Sequence, residues 1–394
     1  MDITEARQCA EELWEDYCKA LRNDQERKAE VEERCLAFGG VKMRYGLEVI
    51  GEPGPEGYPV YIALHGGGGA PTPDMNDQQW EDMRTYYRSG VESGIYVNPR
   101  GVRDTWDTHA NPESFPLYDR MIENLITFYG ADSNRIYLLG FSAGGDGVYL
   151  AGPRMADRFA ALHMSAGCPN GSSLVNLYNT PIQLQVGMND SAYDRNHETV
   201  RYQMYLDKLQ EEEPEGYIHN AYVHVDKPHN YRDNSQEVQE VLIDNRAWLK
   251  GNIVTRRLVD SNAVHFLRGF ERNPLPRRVI WELDVRPLAG MRGVESFFWL
   301  KAPGEVQGGK VIVRLEPDTN SIVVERDDTQ GRLTALLKDG MLDLDKPVTV
   351  VYPDGNKVTR RVERSRDTIL ETIRERGDYN YIFTASVSLA ADQA

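Results

Sequence analysis

The chain has 394 residues, with 45 Lys+Arg against 61 Asp+Glu, a formal charge of −16 and a pI near 5.1. Such an acidic surface repels phosphate backbones and anionic membranes, so neither nucleic acid nor a membrane is expected as a partner. Hydrophobic residues at 40% and charged residues at 27% exclude wholesale disorder, and the length exceeds what one core usually serves.

The first residues carry acid and no apolar run, so they read as neither a signal peptide nor a membrane span, and a cytoplasmic location is expected. Ile3, Ala6, Ala10, Leu13, Trp14, Tyr17 and Leu21 recur at helical spacing. A second charged helix is expected as far as Phe38, ended by Gly39-Gly40. Together they form a helical extension over residues 1–40, a candidate for capping the next domain or for homodimer formation. Cys9 and Cys18 on one helix would lie roughly 13 Å apart, too far for a disulfide that needs about 5.5 Å. With Cys35 and Cys168 they read as free thiols, and the absence of Cys-x-x-Cys and His-Glu-x-x-His spacings gives no expectation of a metal.

From residue 41 the period changes. Val41–Ile50 and Tyr58–Leu64 read as strands, and from there strands and helices alternate. Strands are expected at 94–98, 135–139, 161–165, 182–186 and 217–225, with helices at 117–129, 144–159, 197–212 and 235–249. Short apolar strands without polar alternation imply a mostly parallel sheet covered on both faces, over residues 41–255. After about Gly251 the rhythm stops. Strands at 279–283, 295–300, 310–315, 321–325 and 348–352, joined by Gly and Asp turns, with one helix near 369–375, predict a β-rich domain over residues 270–394.

The most informative segment is Gly140-Phe-Ser142-Ala-Gly144, placed where the strand from Arg135 ends and a helix begins. A serine nucleophile must stand on a sharp strained turn, and glycine on each side gives that turn room. Upstream, Tyr61-Ile-Ala-Leu runs into His65 and four glycines. Consecutive glycines let backbone N–H groups approach a developing oxyanion, so Gly67 and Gly68 are expected donors, with Ala143 as the complement. His65 reads as bracing this loop rather than as a base. An acid and a histidine should follow the serine in chain order. The strand Ile182–Val186 ends in Gly187-Met-Asn-Asp190, which puts Asp190 on a loop at the strand's C-terminal edge, with Asp194 as fallback. His229 lies on the loop just beyond the strand that contains His224, where an imidazole can reach over the serine. Ser142, Asp190 and His229 are therefore the expected catalytic residues. Trp106 and Phe115, on the loop after Asn98, are expected with His65 to line the substrate pocket.

These motifs, in this order, resemble the α/β-hydrolase family over residues 41–250. Asn98-Pro-Arg-Gly101 and the run from Gly140 to Gly147 resemble esterases of the prolyl-oligopeptidase-like and polyhydroxybutyrate-depolymerase-like (feruloyl-esterase-type) groups. The segment Val186–Asn196 is similar to their acid loop, and Asp343–Val350 to the β-rich tail some of them carry. The resemblance implies an α/β-hydrolase doubly wound, mostly parallel sheet and a cofactor-independent serine esterase acting on a small, aromatic or polyester-type ester. No propeller precedes the hydrolase part, which favours esters over peptides. A serine peptidase or amidase, and an inactive hydrolase-fold binding module, remain the alternatives.

Overall fold

A computed structural model describes residues 1–69, 72–283, 294–304, 306 and 308–391. The chain divides into two units, one made of residues 29–272 and the other of residues 1–28 with 273–394.

The larger unit is built on a ten-stranded sheet. In chain order its strands are β1 (Cys35–Phe38), β2 (Val41–Ile50), β3 (Tyr58–Leu64), β4 (Gly94–Pro99), β5 (Ala131–Phe141), β6 (Ala161–Ser165), β7 (Ile182–Gly187), β8 (His219–His224), β9 (Gln239–Leu242) and β10 (Thr255–Leu258). Their spatial order is β1-β2-β4-β3-β5-β6-β7-β8-β9-β10. From β4 to β8 every neighbouring pair is parallel, and two antiparallel strands extend each edge. β4, β6 and β7 are buried along their whole length, as expected of parallel strands covered on both faces. The connections run through helices Pro73–Tyr86, Ser114–Tyr129, Ala143–Arg154 and Arg195–Glu212. β3 leads into β4 on one side, and β5 returns to pair with β3 on the other. The chain thus reverses its winding direction at β3, and ligands bind beyond the carboxyl ends of strands at such a switch point.

Two expectations for this unit fail. The helix expected as far as Phe38 stops at Glu33, and Cys35–Phe38 instead pairs antiparallel with Val41–Arg44. Gly39 and Gly40 have φ of +57° and +79°, so the pair forms a tight hairpin turn rather than a helix end. The helix expected over 235–249 is also absent. Gln239–Leu242 joins the sheet as β9, paired with β10 and touching β8 at His224, and only Asn245–Trp248 is helical, capped by Asp244. The polar residues there are of helical type, but pairing with β10 and with β8 overrides their local propensity.

The smaller unit is β-rich, with a five-stranded sheet (Arg278–Glu282, Lys310–Glu316, Ser321–Asp327, Val348–Val351, Lys357–Arg360) and a four-stranded one (Ser296–Phe297, Leu300–Lys301, Thr334–Leu337, Ala385–Ser388). Helix Ile3–Asn23 opens with a capping box, in which Asp2 accepts from the Thr4 and Glu5 N–H groups and Glu5 accepts from the Asp2 N–H. Its apolar stripe, including Ala10, Leu13, Trp14 and Tyr17, packs on Ile369 and Ile373 of helix Arg366–Arg376. The predicted helical extension therefore divides: residues 1–28 fall with 273–394, and residues 29–40 with the large sheet. None of the four cysteines is in a disulfide. Among the described residues no helix is long and apolar enough to cross a membrane.

Candidate active site

Four loops converge at the carboxyl edge of the sheet, leaving β3, β5, β7 and β8. β5 ends at Phe141 and the chain turns at Ser142 with φ 59° and ψ −121°, a backbone that non-glycine residues seldom adopt. The turn is fixed from both sides. Ser142 N–H donates to the Ser165 carbonyl on β6 (2.9 Å), and the Ser142 carbonyl accepts from Asp146 N–H (3.0 Å), the first bond of the following helix. The flanking glycines are required by backbone contact. A Cβ at Gly140 would lie 2.3 Å from the Gly144 carbonyl oxygen, and one at Gly144 only 2.0 Å from that of Leu64.

His229, on the loop after β8, has Nε2 3.0 Å from Ser142 Oγ and Nδ1 2.7 Å from Asp190 Oδ2. A carboxylate only accepts, so Nδ1 carries the hydrogen and Nε2 presents a lone pair to the serine hydroxyl. The Phe141 ring lies 5.0 Å from the imidazole. The loops after β7 and β8 are tied together by main-chain bonds from Met188 N–H to the His224 carbonyl and from Asn189 N–H to that of Lys227, each 2.8 Å. A Cβ at Gly187 would lie 2.1 Å from the Pro228 carbonyl oxygen, so the approach of acid and histidine depends on that glycine. Asp190 is buried, with Arg195 Nη1 3.4 Å from its other oxygen. The fallback, Asp194, lies away from this line, paired with His197 (2.6 Å) and Arg201 (2.7 Å) at the surface.

The glycine loop lies against the elbow. A Cβ at Gly66 would be 3.3 Å from Ser142 Cβ, and one at Gly68 would be 3.0 Å from Ala143 Cβ. Gly67 and Gly68 have φ of +100° and +75°, which L-residues avoid. A bracket not expected from sequence holds the loop. Buried Asn76 donates from Nδ2 to the Gly68 carbonyl (2.8 Å) and to Asp104 (2.7 Å), and Arg100 binds Asp104 (2.6 Å) and Asp77 (2.8 Å). Nothing in the spacing of Asn76 marks it. Arg100 stands in the Asn-Pro-Arg-Gly run, the one usable signal.

The residues expected to line the substrate pocket divide. Trp106 is 45% exposed, beside the glycine loop: a Cβ at Gly69 would be 3.4 Å from its main-chain nitrogen. His65 and Phe115 do not line a pocket. His65 is fully buried, donating from Nδ1 to the Gly66 carbonyl (2.6 Å) and accepting the Gly101 N–H at Nε2 (3.0 Å). Burial pushes its imidazole down to about 4, so it braces the loop as a neutral ring. Phe115 is buried beneath the Arg154 guanidinium. Both differ from expectation because an aromatic ring serves packing as readily as binding, and Phe115 lies in the first turn of helix Ser114–Tyr129 and not on a loop.

Asp146, in the first turn after the elbow, has an unusual charge environment. Burial pushes its carboxyl up to about 6 from 3.8, against the pull of the Cys168 N–H (2.6 Å), Arg195 and Asn170. The folded state holds this proton more tightly than the unfolded chain, so its contribution to stability is full below 3.8 and is lost as pH rises through about 6. Relative to wild type, Asp146→Asn is therefore expected to gain roughly 3 kcal/mol between about pH 4 and about pH 8. Urea midpoints of the two proteins across that range measure it, and a difference that stays flat with pH would refute the assignment.

No protein-family model matches the chain. A bifunctional acetylxylan esterase/xylanase of Neocallimastix patriciarum is 30% identical over 114 residues, which cover 28% of this chain and 16% of that protein. Among solved structures, a thermostable esterase aligns at 20% identity over 61% of this chain and 64% of its own, with a TM-score of 0.39. A poly(3-hydroxybutyrate) depolymerase from Bordetella parapertussis aligns at 14% identity over 62% of this chain and 99% of its own, with a TM-score of 0.42. The strand order around β3, with the elbow after β5 and the acid and histidine loops after β7 and β8, makes the larger unit an α/β-hydrolase fold.

Proposed function

We propose that the protein is a cofactor-independent serine carboxylesterase with Ser142 as nucleophile, His229 as general base and acid, and Asp190 as the residue that orients the imidazole. One observation carries this reading: the unbroken hydrogen-bonded line Asp190–His229–Ser142, set on a strained elbow beneath a glycine loop. His229 Nε2 takes the Ser142 proton as Oγ attacks the ester carbonyl carbon. The carbonyl oxygen gains the negative charge and is met by the main-chain N–H groups of Ala143 and of Gly67 or Gly68. His229 returns its proton to the departing alcohol, leaving an acyl group on Ser142. Water then gives a proton to His229 and adds to the acyl carbon, and Ser142 recovers that proton as the carboxylic acid leaves. The half-exposed Trp106 beside the glycine loop suits a small or aromatic acyl group. The Neocallimastix protein's description as an acetylxylan esterase agrees with this class of reaction.

Labelling with a fluorophosphonate tests the reading. One adduct per chain is expected, on the peptide that contains Ser142, followed by loss of hydrolysis across a panel of p-nitrophenyl esters. A folded chain that takes no label would be a binding module instead. Peptide amides cleaved as fast as esters would make the chain a peptidase.

A further inference from the structure

Beneath the loop that carries His229 lies a second Asp–His pair, which the reaction does not use. Asp233, four residues after His229, is fully buried, and three donors meet its carboxylate. Tyr86 OH binds Oδ1 at 2.8 Å, Tyr87 OH binds Oδ2 at 2.7 Å, and His163 Nε2 binds Oδ2 at 2.9 Å. Burial alone would push this carboxyl up, but His163, Tyr87 and Tyr86 outweigh it and hold it below the ordinary value. The two phenols are pushed well above theirs by burial and by the Asp233 charge, so they remain donors.

The far side of His163 is determined by a chain of amides. The Ser261 carbonyl accepts from Gln185 Nε2 (2.8 Å), which sets the direction of that amide. Gln185 Nε2 also donates to Gln183 Oε1 (2.8 Å), and the same oxygen faces His163 Nδ1 at 3.0 Å. Both ring nitrogens of His163 therefore face acceptor oxygens, Asp233 Oδ2 on one side and Gln183 Oε1 on the other. Burying the Asp233 charge is weak evidence of stability, because desolvation cancels most of its attraction to these donors. Its geometry, however, admits one arrangement of the groups around it.

We propose that Asp233 is a positioning residue for His229, its contacts with His163, Tyr86 and Tyr87 fixing the loop that brings the imidazole to Ser142. Fourteen residues separate β8 from β9, a long connection with no regular structure. The backbone bonds to the β7 loop hold its first residues, and Asp233 holds it beyond His229. Between these anchors Tyr231 stacks on His224 (4.7 Å) and its hydroxyl lies 2.5 Å from Ser165 Oγ. The carbonyl of that same Ser165 accepts the Ser142 N–H. On the other side the Tyr86 ring lies 5.4 Å from Phe141, the ring against His229. Elbow and histidine loop are thus referred to one buried charge.

This role rests on His229 acting as the base, and the test separates the two claims. In Asp233→Asn the carboxamide cannot accept from all three donors. The expected result is a kcat for p-nitrophenyl acetate lowered by roughly 10- to 100-fold, with KM within about twofold, since a displacement of about 1 Å costs that much. Tyr86→Phe, which removes one donor from a half-buried site, should fold normally and lose a smaller part of kcat, and it serves if the first variant fails to fold. The downfield proton resonance of His229 Nδ1–H, bonded to Asp190, is followed by NMR and should broaden or vanish in Asp233→Asn. A kcat per folded molecule equal to wild type, with that resonance intact and only the melting temperature lowered, overturns the proposal. If wild type takes no fluorophosphonate yet the resonance still depends on Asp233, the esterase reading falls and the positioning role stands.

Discussion

Ser142→Ala is expected to reduce ester hydrolysis by about 10³- to 10⁶-fold while leaving the fold intact. Oγ is the atom within 3.0 Å of His229 Nε2, so its removal leaves the base with no hydroxyl to activate. Alanine keeps the Cβ and every main-chain bond of the turn, including those to Ser165 and Asp146. The loss should therefore appear in kcat, with a stability change below about 1 kcal/mol. Whatever hydrolysis persists would come from the main-chain donors of the glycine loop acting on an attacking water. Initial rates on p-nitrophenyl acetate, paired with a thermal melt, make the measurement. A variant that hydrolyses the ester at the wild-type rate would remove Ser142 from the mechanism.

The second large effect is expected from Asp190→Asn. The carboxylate accepts the Nδ1 hydrogen at 2.7 Å and so leaves Nε2 free to take the serine proton. An amide that turns its NH₂ toward the ring would donate to Nδ1 and force the hydrogen onto Nε2, where it points at Ser142. The wrong tautomer costs roughly 10⁴-fold in a Ser-His-Asp triad. Because Asn is nearly isosteric and the Asn196 N–H bonds the main-chain carbonyl of residue 190, the loop should hold its shape. Steady-state kcat and the rate of fluorophosphonate labelling should fall together. A loss of less than about tenfold would move the orienting role to another acid.

Both predictions concern residues that stand out in the sequence, and the reason is local. The elbow needs glycine on both sides of the serine because the backbone of β3 passes within contact of Gly144, and such a constraint leaves a short motif. The acid follows Ile182–Gly187, a short strand buried along its whole length, and parallel strands covered on both faces tend to read as short apolar runs. Tyr58–Leu64 and Ala161–Ser165 begin and end as expected for that reason, and Val41–Ile50 does so as an antiparallel strand with one exposed set of residues. Where no local rule applies, expectation and structure part. Gln239–Leu242 is polar enough to pass for helix and becomes a strand only because β10 lies beside it. Cys35–Phe38 likewise depends on its hairpin partner.

The sequence by itself determined the α/β alternation, the β-rich remainder and the elbow, because periodicity and glycine placement are properties of neighbouring residues. Tertiary structure alone decided which groups are buried and what meets them. Asp146 and Asp233 read as ordinary acids, yet burial pushes the first up, while His163 and two tyrosines from another helix end hold the second down. His65 and Phe115 are turned inward, although their spacing would equally serve a binding site. Helix Ile3–Asn23 finds its partner in Arg366–Arg376, more than three hundred residues away in the chain. Desolvation and charge pairing act through space, so no spacing along the chain encodes them.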